Sequence, residues 1–362
     1  MDFALTADQR LMQDSLAGVL TRAAPLARVR SFAENGEPVA ADVWAQLTDL
    51  GVPGLLIADE HGGLGLTLLD AALAAEAIAG FVAPSPFLGA AVLAPLALTL
   101  AGSPAQQAAW LPKLAAGEIV AGAVLHEAIA GARDAAGVNA SDGKLTGASM
   151  FALDAAGADL LVVADRTGGL WLVEGSAAQI VALPTIDATR RFAEVRFDRA
   201  PAERLAASDA LPALRDAAFV MLAADMLGAA QAMVDKAVAY AKERQQFGRP
   251  IGSFQAVKHR CAEMSVDVES ARSAAYNGVW TAASRPADEQ LAVAAAIAHS
   301  YCSEAFTRVA ASCIQVHGGL GFTWEHPAHL YYRRAKSSEL LFGSPARHRR
   351  RLAELLGVTA TG

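Results

Sequence analysis

Four helical patterns of unusual length fill the last part of the chain, at about 211–246, 254–283, 288–315 and 327–355. No other feature restricts the fold as strongly. Helices of that length carry apolar stripes that must be covered, and four such stripes cover one another as a bundle. Ser284-Arg-Pro-Ala-Asp288 separates two of them.

The region before the bundle has a different texture. From about Ile119, short runs such as Leu160-Leu-Val-Val-Ala164, Leu170-Trp-Leu-Val173 and Ala193-Glu-Val-Arg-Phe-Asp198 are split by Gly, Asp and Pro. Several carry β-branched residues, so they predict a β insert built as a small barrel or sandwich. Upstream of Ile119 the periodicity is helical again. Thr6 is placed to cap a first helix, and Ser103 with Pro104 to open another. Pro95 is expected to kink or shorten the helix around it. The expected fold is therefore mainly α with a β insert. It comprises an N-terminal helical domain (1–118), a middle β domain (119–208) and a C-terminal helical bundle (209–362).

Composition removes several function classes. The net charge is −7 with no long basic tract, which argues against nucleic acid as the partner. The short run Arg347-His-Arg-Arg-Arg351 suits a solvated helix face or an interface. No uninterrupted apolar run is long enough to predict a membrane span. The first ten residues lack a basic region followed by an apolar one, so no signal peptide is expected and the cytoplasm is the expected location. Cys261, Cys302 and Cys313 lack metal-ligand spacing and predict small buried residues. The eight histidines form no metal-binding pattern, and no metal is expected. Gly62, Gly63 and Gly65 lie in a glycine-rich loop, but no Lys-Ser/Thr follows them, which excludes a P-loop.

Two stretches carry chemistry. Gly248, Pro250 and Gly252 break the pattern between two long helices. Arg244 and Phe247, three apart, are expected to share a face at the end of the first helix, with Gln255 in the first turn of the next. A guanidinium fork, a ring and an amide suit a ligand that bears a diphosphate and a ring. Dipole compensation by Arg, a core Phe and a capping Gln would explain the same residues. The second stretch is Gln315-Val-His-Gly-Gly-Leu-Gly-Phe322. Gly318, Gly319 and Gly321 suit either tight turning or close backbone approach to a phosphate. His317 either fills that turn or touches a cofactor. Trp171 and Trp324 are expected to be packing residues.

Arg-x-x-Phe-Gly-x-x-Ile-x-x-x-Gln, followed about sixty residues later by Gln-x-x-Gly-Gly-x-Gly-Phe, resembles the acyl-CoA dehydrogenases over essentially the whole chain. The resemblance implies FAD as cofactor, an acyl-CoA thioester as substrate, and an electron-transfer flavoprotein or similar acceptor. It also implies that Arg244, Phe247, Gln255, Gln315, Gly318, Gly319 and Gly321 reach across a dimer interface to a neighbour's FAD.

The same resemblance exposes what is missing. Desaturation needs a carboxylate to take the C2 proton and a flavin to take the hydride. Where the family usually has Glu before a Gly, this chain has Phe342 before Gly343. The alternative base position falls on Ala218, with Phe219 in place of the usual Arg. Asp216 points about 200° away around that helix, and Glu339 lies a turn before Phe342. The family's Thr-Glu-Pro reads His126-Glu127-Ala128, and its aromatic-x-Thr reads Phe151-Ala-Leu153. His126 is expected either on an exposed loop or in the flavin's seat, and Glu127 on a local backbone contact.

The chain thus resembles the base-lacking subunit of a heteromeric acyl-CoA dehydrogenase, two copies of each chain, whose homologous partner carries the catalytic Glu. Such enzymes act on bulky steroid side-chain or dicarboxylic CoA thioesters. The alternatives are a self-sufficient homo-oligomeric dehydrogenase with Glu339 as base, a flavin monooxygenase, and a non-enzymatic scaffold on the same fold.

Overall fold

A computed structural model describes residues 5–131, 136–284 and 289–358. The N-terminal region holds α1 (Ala7–Ala23), α2 (Leu26–Asn35), α3 (Ala41–Asp49), α4 (Leu68–Gly80), α5 (Ala94–Ala101) and α6 (Pro104–Ala115). Thr6, Thr67 and Ser103 each close a capping box at a helix start. Each satisfies backbone donors that the first turn leaves unpaired, a gain of about 1 kcal/mol. Pro95 does not kink its helix. It occupies the first turn of α5, where no intrahelical donor is lost, and the distortion is a π-helical turn just before it, Phe87–Leu93.

The β region contains β1 (Ala121–Val124), a short α7 (His126–Ala130), β2 (Gly137–Ser141), β3 (Lys144–Leu153), β4 (Leu160–Ala164), β5 (Leu170–Glu174), β6 (Gln179–Ala182), β7 (Phe192–Pro201) and β8 (Glu203–Arg204). The sheet order is β6-β7-β3-β1-β4-β5-β8, with β2 also on β3. Among the described residues, only β1 and β4 pair in parallel. Alternate residues enter different cores, as the period of a strand requires. Leu160, Val162, Leu170 and Leu172 join the helical core, while Leu161, Val163, Trp171 and Val173 join a second core with Val195 and Phe197. Residues from both halves of the sheet meet in that second core, so the sheet folds over itself. A strand buried on both faces explains the unbroken apolar run at 160–164. β2 and α7 were not anticipated; their sequences carry no period that marks them.

The C-terminal region holds α8 (Leu211–Glu243), a small hairpin of β9 (Gln245–Gln246) and β10 (Arg249–Pro250), α9 (Gln255–Ser284), α10 (Glu289–His317), a single turn α11 (Gly319–Phe322), α12 (Ala328–Ser338) and α13 (Pro345–Leu355). The fourth long pattern is therefore two helices. Phe342 and Gly343 take positive φ, 60° and 123°, and Pro345 cannot continue a helix from before it. The separator Ser284–Asp288 lies largely outside the described residues.

No uninterrupted apolar run is long enough to span a membrane, but among the described residues α8 is long and apolar enough overall, with a mean hydropathy of 1.6 over its most apolar 18 residues. However, 89% of that window is buried inside the protein. Asp225 interrupts its apolar surface and is itself buried between Arg190 and Arg334. Burial alone would raise this carboxylate, but the two guanidiniums hold it below its ordinary value. The ion pairs tie the segment before β7 to α8 and α12. Truncating a partner would strand a buried charge, at a cost of about 3–5 kcal/mol.

Candidate functional site

One end of the bundle presents the first chemical motif to solvent. α8 stops at Glu243, and Arg244 is already extended, so Arg244 and Phe247 do not share a helix face as expected. They belong to the β9–β10 hairpin, whose two turn residues, Phe247 and Gly248, have φ of 52° and 76°. Positive φ at both central positions matches the twist of a two-residue hairpin. The geometry turns the Phe247 ring outward, 91% exposed, with only an edge contact to Phe254 at 6.0 Å between centroids. Arg244 is exposed, and Gln255 is exposed at the start of α9.

The second motif stands at the same end. His317 closes α10 and is buried; its ring stacks on Tyr240 in the last turn of α8 at 4.4 Å. Its Nδ1 lies 2.8 Å from the Cys313 carbonyl. His317 therefore fills the turn and joins the two helix ends, with Gln315 and Gly318 exposed beside it. The three glycines separate by physical cause. Gly318 has φ 60°, which favours glycine. A Cβ on Gly321 would stand 2.6 Å from the Ile314 carbonyl oxygen, so packing requires that glycine. Gly319 has neither constraint: its φ is not positive, and an added Cβ would meet nothing within 4 Å. Phe322 and Trp324 extend the rim, 85% and 66% exposed. Trp324 packs edge-on against His329 at 4.6 Å and under Arg333 at 4.9 Å, yet most of its ring remains exposed. It forms one wall of a cavity of about 500 Å³, with Arg30, Asp187, His329 and Arg333. Trp171 is the buried one, and its indole donates to Asp165 at 2.8 Å.

The cleft between β3 and the end of α12 is the opposite in character. His126 is buried, with its ring 5.3 Å from Phe151 and 6.1 Å from Phe342. It occupies the cleft and not an exposed loop. Phe342 is 1% exposed, which holds a bulky residue in an unfavourable positive-φ turn. Glu127 accepts from the Met150 amide at 2.7 Å and from the Ser149 hydroxyl, pinning α7 to β3 across more than twenty residues of sequence. The remaining space is a cavity of about 260 Å³.

Among the described residues, no carboxylate lines this cavity. Ala218 is buried on α8, and its neighbour Phe219 packs edge-on against His348 at 4.6 Å. Asp216 is buried and bonded to Arg215 at 2.9 Å and Arg351 at 3.0 Å. Glu339 is paired with Lys336 and does not line the cavity. Behind Phe219, His299 and His348 lie 4.1 Å apart. Burial pushes His348 down to about 4, against the opposing pull of the Gly343 carbonyl, and holds His299 well below its ordinary value. The basic run 347–351 is accordingly mixed: His348 is buried, whereas Arg349 and Arg350 face solvent. No group of three or more potential metal ligands occurs among the described residues.

The acyl-CoA dehydrogenase N-terminal domain model matches residues 6–118, and the acyl-CoA dehydrogenase C-terminal domain model matches residues 218–357. The chain belongs to the acyl-CoA dehydrogenase family. An acyl-CoA dehydrogenase of Mycolicibacterium smegmatis, IpdE2, is 32% identical over 349 residues, spanning 96% of this chain and 98% of that protein. The fold matches the ChsE4-ChsE5 complex of Mycobacterium tuberculosis with a TM-score of 0.91 at 26% identity, over 100% of both chains. It also matches the Tcur3481-Tcur3483 steroid ACAD G363A variant with a TM-score of 0.88 at 26% identity, over 98% of this chain and 99% of that one.

Acyl-CoA dehydrogenases are FAD-dependent oxidoreductases acting on CH–CH bonds of acyl-CoA thioesters. The cleft of this chain does not fit a flavin of its own. The cavity there is walled largely by Phe151, Phe192, Leu340 and Leu341, with His126, Thr185, Lys336 and Ser337 as its polar members, while Leu153 and Phe342 are buried outside it and bring neither hydroxyl nor carboxylate. The exposed rim does suit part of an FAD. Arg244 offers a planar fork to a diphosphate, and Gly319 leaves open a backbone approach that nothing within this chain requires.

Proposed function

We propose that this chain is the base-lacking subunit of a heteromeric acyl-CoA dehydrogenase that oxidises an acyl-CoA to the 2-enoyl-CoA. A homologous partner supplies the catalytic Glu. The observation that carries the proposal is Phe342, buried at the family's base position, with Glu339 and Asp216 already ion-paired.

In such a complex the residues of the rim act in trans. Arg244 would hold the diphosphate of the partner's FAD. Gln255 and Gln315 would offer amides to its polar groups, and Phe247 would pack beside it. Gly318 and Gly319 would leave room for the phosphates near the backbone, and Gly321 keeps that turn tight. The bound FAD would supply the hydride acceptor for C3 of the thioester. The exposed rings of Phe247, Phe322 and Trp324 become interface on assembly. Two of the structures this fold matches are named for pairs of chains, ChsE4-ChsE5 and Tcur3481-Tcur3483, which supports a two-chain assembly. The second of them is named a steroid ACAD, which supports a bulky CoA thioester, of the steroid side-chain or dicarboxylic kind, as substrate. An electron-transfer flavoprotein is the acceptor such an enzyme would use, and the cytoplasm its place of work.

FAD stoichiometry tests the proposal. The chain purified alone should be colourless, and co-expression with a Glu-bearing homologue should yield one FAD per pair of chains. One FAD per chain in the protein purified alone would overturn it.

A further inference from the structure

We propose that the cavity between β3, the loop at 184–186 and the end of α12 binds a compact alicyclic carboxylate. The proposal rests on the conclusion that this chain's cleft holds no flavin. At about 260 Å³ the space lies just below the usual range of small-molecule sites, roughly 300–1,000 Å³. Phe151 and Phe192 form the sheet side, and Leu340 and Leu341 form the helix side. Ile186 and Leu340 stand at the mouth, 55% and 63% exposed. A hydrocarbon skeleton seated there would cover apolar surface that is otherwise wet.

Charge sets the second half of the ligand. Lys336 is the one lining side chain with a permanent charge. Its ammonium has three donors and Glu339 engages it from one side, so donors remain for a ligand anion. Ser337, next to Lys336, adds a hydroxyl to the lining. The Thr185 hydroxyl is already spent on the Asp187 carbonyl at 2.9 Å. A saturated ring system needs no partners inside the cavity, whereas a flavin edge needs several. One carboxylate at the Lys336 side then matches the only fixed charge.

The probe is adamantane-1-carboxylate, titrated calorimetrically into the co-purified complex, with 1-adamantanemethylamine as the charge-reversed control. The carboxylate should bind once per copy of this chain and the amine should show no measurable heat. Lys336→Gln should weaken the carboxylate about tenfold, the factor that one charge-assisted hydrogen bond supplies. Leu340→Glu should abolish binding while leaving the thermal midpoint unchanged, because that side chain is already exposed. Equal binding of the two probes, or wild-type affinity in both variants, would overturn the proposal. FAD content is read in the same samples. One FAD per pair without carboxylate binding overturns the cavity site alone. One FAD per chain overturns the divided flavin site and, with it, the basis of this proposal.

Discussion

The rim at the bundle end and the cleft beside Phe342 belong to one fold but have opposite chemistry. The rim exposes its guanidinium, its amides, Gly318 and Gly319, and it leaves 91% of Phe247 in solvent. The cleft turns rings inward, and its carboxylates are consumed by Arg and Lys. Exposed groups without an internal role carry a standing cost in apolar surface. Their presence argues for use by a second molecule. A cleft that hides a phenyl ring at the base position has exchanged chemistry for packing. Polar equipment therefore survives where it faces outward and is replaced where it faces inward.

The strongest attempt to break this contrast is to restore the missing base. Phe342→Glu places an unpaired carboxylate in an apolar site and should destabilise the chain by about 3–5 kcal/mol. It should still give no turnover in the chain alone, because on the proposed division of the site the partner holds the flavin. Thermal unfolding and a dye-reduction assay check the two halves, and turnover by the variant alone would erase the contrast.

The next effect separates the regions by pH. His348 and His299 lie behind the cleft, and His326 and His317 support the rim; all are held below their ordinary value mainly by burial. A lowered histidine is neutral in the folded chain, while the unfolded chain takes up a proton near pH 6.5. Stability should therefore be unaffected above that pH and should fall as the pH drops toward about 4. His348→Gln should remove that residue's own part of the fall, up to about 3 kcal/mol at the acid end, and leave that of His299. Denaturant midpoints measured from pH 7.5 to 4.5 (buffer values) would reveal it; an unchanged slope would show that the other histidines dominate.

Arg244→Ala sharpens the comparison from the other side. The isolated chain should keep its stability, because Arg244 is exposed. The complex should bind FAD about ten- to a hundredfold more weakly, the range of a lost charge-assisted contact. Equilibrium dialysis of FAD measures this, and an unaltered affinity would remove Arg244 from the shared site.

The smallest effect is expected from Glu339→Gln. The variant loses only a half-exposed pair with Lys336, so stability should change by less than about 1 kcal/mol. Turnover of the complex should be unchanged. A collapse of kcat would identify Glu339 as a base.

Periodicity alone predicted the helical ends and the β insert, because 3.6- and 2-residue repeats are local properties. The capping residues Thr6 and Ser103 were legible for the same reason. So was the absence of a carboxylate at position 342, because Phe342 has no titratable group in any fold. Placement was not local. Arg244 left the helix because a hairpin with paired positive φ follows it, and α12 separated from α13 at a Gly-Ser-Pro sequence inside an otherwise helical pattern. The ion pairs that occupy Asp216 and Glu339 join residues whose approach only packing decides. Gly319 shows the division most clearly. The sequence marks it as glycine, but only the surrounding three-dimensional space shows that no described residue outside its own turn would meet a side chain there.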